Sequence, residues 1–80
     1  MFSRVDNFLV ITTNNLMALE ATTEWVYGIL KTTYFIQIEL FPNLTLYRIY
    51  IPIGQDWDNK IKKKLTEYLT ARHLKLLKES

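Results

Sequence analysis

Groups able to do covalent or acid–base chemistry are sparse in this chain, and their spacing keeps them apart. The only serines, Ser3 and Ser80, stand at the chain ends, where a nucleophile and its base are hard to hold in register. The single histidine, His73, falls in a run with helical spacing, and its i±4 neighbours are Leu69 and Leu77. Neither leucine can orient an imidazole, so His73 reads as a plain helix residue. Asp56 and Asp58 are two positions apart and suit a helix start better than a metal. Glu20 and Glu24 lie one helical turn apart, with nothing nearby to bury one of them and raise its pKa for acid–base work. The two glycines are isolated, so no phosphate-cradling loop is present. There is no cysteine, which removes disulfides, thiolate metal sites and cysteine nucleophiles. The expectation is a protein that is not an enzyme and uses no cofactor or metal.

The residues that could bind something are concentrated in 33–53, TYFIQIELFPNLTLYRIYIPI. Tyr34, Ile36, Ile38 and Leu40 alternate with Phe35, Gln37, Glu39 and Phe41, and Leu44 to Ile53 alternates in the same way. Alternation with period two is the mark of a strand with two different faces. Folding the pair about Pro42-Asn43 sets Ile36 opposite Ile49 and Ile38 opposite Tyr47, all on one apolar side. A slip of one residue would drive Gln37 and Glu39 among the isoleucines, so the pattern selects its register. A four-residue loop, Phe41 to Leu44, is expected, because Pro42 cannot take the positive φ of a type I′ turn. The second face then carries Phe35 opposite Tyr50, Gln37 opposite Arg48, Glu39 opposite Leu46, and Phe41 near Leu44. That face is too apolar for plain solvation and too polar for a core. Phe35, Phe41, Leu46, Arg48 and Tyr50 are the candidate protein-binding residues.

The other elements must position this hairpin. Phe8-Leu9-Val10-Ile11 is a continuous apolar run, which predicts a central strand over about 5–13. Thr12-Thr13-Asn14-Asn15 ends it and supplies an N-cap, Asn14 or Asn15. Leu16, Leu19, Thr23, Val26, Ile29 and Leu30 recur at helical spacing, which predicts a helix over about 15–31 with Trp25 and Tyr27 beside the stripe. Gly54 permits a turn and Asp56 can cap a last helix over about 56–78, with Trp57, Ile61, Leu65, Tyr68 or Leu69, and Leu76 as its apolar stripe. Leu74 and Leu77 widen that stripe. The expected fold is a single α+β domain, β-α-β-β-α: a two-layer α/β sandwich in which both helices cover the Ile36/Ile38/Ile49/Ile51 face of a small, mainly antiparallel sheet.

Size and charge rank the functions that remain. The chain has 80 residues, 49% of them hydrophobic, which is enough for one small core. No apolar run reaches the roughly 20 residues of a membrane span, and the N-terminus lacks a secretory h-region. The reading is a cytoplasmic protein without a membrane partner. Net charge is +2, but residues 1–55 carry three basic and four acidic groups while 56–80 carry seven basic and four acidic. The basic excess therefore belongs to the last helix. Lys60, Lys62, Lys63, Lys64 and Arg72 could follow phosphates, with Phe35, Arg48 and Tyr50 stacking bases. Against nucleic acid stand the modest net charge and the scarcity of arginine. The leading expectation is a protein-binding module, a small adaptor, regulator or inhibitor, that self-associates as a homodimer through its sheet face or edge.

Overall fold

The computed structural model describes residues 1–76. Its elements are β1 (Phe2–Val5), β2 (Phe8–Thr13), α1 (Leu16–Trp25) continued by one π turn (Val26–Leu30), β3 (Phe35–Phe41), β4 (Leu44–Ile51), a 3₁₀ turn (Gln55–Trp57) and α2 (Asp58–Thr70). The expected α+β class holds, with a four-stranded antiparallel sheet in the order β1-β2-β4-β3. Since β4 is antiparallel to both, β2 and β3 run parallel, and α1 carries the chain over β4 between them.

The first strand was expected as one element from residue 5. It is instead a hairpin. Asp6 takes a φ of 52°, a conformation that aspartate tolerates better than most residues. Val5 thereby turns back and pairs with Phe8. β2 becomes a central strand, with Leu9 to Thr13 all buried. The turn of the second hairpin also differs from expectation. Phe41 pairs directly with Leu44 across two residues, and neither Pro42 nor Asn43 has a positive φ. The two-residue loop is thus made without the type I′ geometry that Pro42 forbids.

Helix α1 starts as its sequence predicts. The Asn15 side chain accepts from the N–H groups of Met17 (2.8 Å) and Ala18 (3.3 Å), satisfying two donors that a helix start leaves open. Its buried stripe is Ala18, Leu19, Ala21, Thr22, Trp25 and Val26. Of the predicted stripe, Leu19 and Val26 are buried as expected, while Leu16 and Ile29 are exposed. Small alanines let α1 sit close to the sheet, a choice that counting large apolar residues misses.

Helix α2 buries Ile61, Leu65 and Leu69 as expected, but Trp57 of the predicted stripe is exposed and lies in the 3₁₀ turn before it. It does not reach residue 78. His73 takes a φ of 59°, His73 N–H donates to Thr70 O (3.0 Å) and Leu74 N–H to Leu69 O (2.9 Å). These two bonds close a Schellman stop, a role normally filled by glycine. Leu74 and Leu76 then fold back against the core. Asp56 does not cap α2; it lies in the 3₁₀ turn, and no side chain caps either element. Leu77, Lys78 and Ser80 lie outside the described residues.

The core lies between the helices and one face of the two central strands: Leu9, Ile11, Ile49 and Ile51 against Leu19, Trp25, Val26, Ile61, Leu65 and Leu69. Both helices occupy that face, as expected. They do not cover β3. Ile36, Ile38 and Leu40 lie on the helix side by register yet are 43%, 58% and 78% exposed. The reason is β1. A fourth strand on the far edge shifts the middle of the sheet to β2 and β4, and Arg4 of β1 ties α2 toward that side through Asp58. β3 is left outside the covered area. No helix among the described residues is long and apolar enough to cross a membrane.

Candidate protein-binding site

Strand β3 is a sheet edge with one apolar face and one mixed face, and both are open. On the side away from the helices, register places Phe35 beside Tyr50, Gln37 beside Arg48, Glu39 beside Leu46 and Phe41 beside Leu44. Sequence reasoning had grouped Phe35, Phe41, Leu46, Arg48 and Tyr50, and the fold brings these five onto one surface. Phe8 joins them from β2. Its ring meets Phe35 and Tyr50 edge-on, both at 6.0 Å between centroids, a favoured aromatic geometry. The sequence pattern shows Phe8 only as part of an apolar strand, because its place beside Tyr50 depends on the β2–β4 pairing.

Two polar pairs bridge this face. Arg48 Nη1 donates to Glu39 Oε1 at 2.8 Å. The Tyr50 hydroxyl donates to Gln37 Oε1 at 2.7 Å. Both bonds cross from β4 to β3 and fix the orientation of two β3 side chains. Phe35 and Phe41 remain 61% and 47% exposed.

The backbone of β3 has a direction as well. Phe41 and Leu44 pair across a turn whose first residue is Pro42, and proline has no N–H to give. The closing pair must therefore be the kind that exchanges both hydrogen bonds, and such pairs alternate along an antiparallel ladder. Phe35, Gln37, Glu39 and Phe41 turn their N–H and C=O groups to β4. Ile36, Ile38 and Leu40 turn theirs outward, where no other strand among the described residues pairs with them.

The basic residues lie elsewhere. Lys60, Lys62, Lys63 and Lys64 are on α2, on the opposite layer from Phe35, Arg48 and Tyr50. Helical geometry puts Lys60, Lys63 and Lys64 within roughly 100° of arc and turns Lys62 away from them. Lys62 adds a weak attraction that helps keep Asp58 ionised. Lys60 Nζ sits 4.9 Å from the Trp57 ring centroid, and the Arg72 guanidinium lies 3.5 Å over Tyr68. The two halves of the nucleic-acid reading, lysine helix and aromatic sheet, thus face opposite ways.

A hollow of about 300 Å³ is lined by Trp25, Ile29, Leu30, Trp57, Ile61 and the stems of Lys60 and Lys64. Trp25 is buried, while Tyr27, on the same helix, is 74% exposed. No cluster of His, Asp or Glu among the described residues could hold a metal. No protein-family model matches this chain, and no curated protein or solved structure matches it.

Proposed function

We propose that this chain is a non-enzymatic protein-binding module, a small adaptor, regulator or inhibitor that works by occupying a surface, with the β3–β4 hairpin as its contact. One observation carries the reading. An edge strand of seven residues shows large apolar side chains on both faces and an open row of backbone groups between them. A long, apolar, uncovered edge is a liability that proteins usually cover, shorten or charge. Leaving it bare is reasonable where a partner strand covers it in use. The Phe35, Phe41, Leu46, Arg48 and Tyr50 face supports the same reading, since aromatic residues and arginine are enriched where proteins meet.

A photo-crosslinking residue placed at Leu40, with a control at Lys63 on the exposed side of α2, tests this. Protein adducts from Leu40 and none from Lys63 are the expected result. Equal or absent labelling at Leu40 would remove the hairpin as the contact. In parallel, binding to DNA and RNA at about 50 and about 200 mM salt tests the competing use of Lys60, Lys62, Lys63 and Lys64.

A further inference from the structure

We propose that the partner strand is β3 of a second copy, paired antiparallel about a two-fold axis through Ile38, so that two sheets fuse into one of eight strands. The proposal rests on the reading of the hairpin as a contact and names its occupant. Three observations select this register. First, only Ile36, Ile38 and Leu40 aim backbone groups outward. Outward groups must meet outward groups, which excludes any axis lying between two residues. Second, an axis at Ile38 uses the whole strand. Ile36 meets Leu40 of the second copy, Ile38 meets its own mate, and Phe35 meets Phe41, so apolar groups oppose apolar groups on both faces.

Third, the charges fit in this register and fail in its neighbours. Glu39 falls opposite Gln37 of the second copy. Gln37 Oε1 already accepts from Tyr50, which leaves its amide N–H₂ to donate to that carboxylate, and symmetry makes the contact twice. Moving the axis to Glu39 would set two carboxylates directly opposite each other, a destabilising pair. Moving it to Gln37 would put Phe35 against Glu39 and set Leu40 opposite Tyr34, which lies outside β3. A two-fold normal to the sheet keeps both helical layers on one side, so the Ile36, Ile38 and Leu40 rows join into a single apolar trough.

Sedimentation velocity on the intact chain and on Ile38→Lys tests the seam. Ile38 is more than half exposed, so the substitution leaves the monomer folded, which circular dichroism checks. The expected result is a wild-type dimer weakened at least about 30-fold in Ile38→Lys, the scale of an interface hot spot. Register is read from single-cysteine variants, which the cysteine-free chain makes unambiguous. Ile38→Cys should oxidise to a disulfide-linked dimer, since facing residues of such a pair lie about 5.5 Å apart at Cα, within disulfide reach. Ile36→Cys and Leu40→Cys should not. A wild-type chain that stays monomeric up to about 1 mM overturns the dimer; if Leu40 still crosslinks a foreign protein, the binding-module reading stands. A dimer indifferent to Ile38→Lys, or one that links through Gln37→Cys or Glu39→Cys and not Ile38→Cys, overturns this seam alone.

Discussion

Arg4 holds Asp58 with two nitrogens, Nε to Oδ2 at 2.9 Å and Nη2 to Oδ1 at 2.6 Å, across 54 positions of sequence. The same Nη2 also donates to the carbonyl of Ile53 at 2.8 Å. One side chain therefore fastens the first strand to Ile53, two residues past β4, and to the first turn of α2. Side-on pairing of this kind is geometrically specific.

The ion pair predicts an acid-sensitive component of stability. The hydrogen bonds from Arg4, aided by its charge, hold the Asp58 carboxyl below its usual range. A lowered folded pKa adds stability that is complete above the unfolded pKa of about 4 and is lost as pH falls through the folded value. Arg4, raised from an already high pKa, stays charged throughout and adds no slope. Urea midpoints taken from neutral pH down to about pH 2 should fall more steeply for the wild type than for Asp58→Asn. Parallel curves would show that Asp58 is not held by Arg4 in solution.

Thr22 predicts a gain. Its Oγ1 is buried without a hydrogen-bond partner among the described residues. Replacing a buried, unpartnered hydroxyl by a methyl of the same shape removes a desolvation penalty. Thr22→Val should stabilise the fold by about 1 kcal/mol in chemical unfolding. Destabilisation would mean that the hydroxyl bonds inside the helix.

Helix ends give a pair of opposite effects. Asn15→Ala should cost about 1 kcal/mol, because two N–H groups lose their acceptor. His73→Gly should gain about 0.5 kcal/mol, because His73 alone pays a Cβ penalty at the left-handed stop of α2. Both are read from urea midpoints, and equal signs would contradict the capping assignments.

Leu65 is fully buried beneath the sheet. Leu65→Ala should cost roughly 2–5 kcal/mol, a large part of the stability of so small a domain. Tyr50→Phe, in contrast, should leave the unfolding midpoint within about 0.5 kcal/mol and weaken self-association several-fold by freeing Gln37. Loss of fold in Tyr50→Phe would place that hydroxyl in the core economy of the monomer.

The second hairpin was legible residue by residue. Alternation in two facing runs leaves one register that keeps Gln37 and Glu39 off the isoleucine side, and the observed pairs are those. The start of α1 was legible because Asn15 precedes the first apolar turn. Three things were not. Phe2 to Val5 is too short and mixed to announce a strand, and its turn depends on one aspartate adopting a positive φ. The stop at His73 uses a residue that normally gives no stop signal. The bareness of β3 follows from where β1 docks, a contact between distant segments that no local pattern encodes. Of the candidate site, the five sheet-face residues are within reach of the sequence, whereas the alternation of Ile36, Ile38 and Leu40 predicts core and the fold leaves them exposed.

The two borders of the sheet are unequal. β1 offers four residues, and its one charged side chain is engaged inward with Asp58; β3 offers seven. A particle with two equally adhesive ends adds copies without limit, as fibres do. On the proposed β3 seam only one border is adhesive, and joining two copies would spend it on both. What then faces outward at each extremity is the short, tethered strand. Growth through that seam would stop at a pair, so the proposal expects a plateau in particle mass, rather than a gel, as concentration rises.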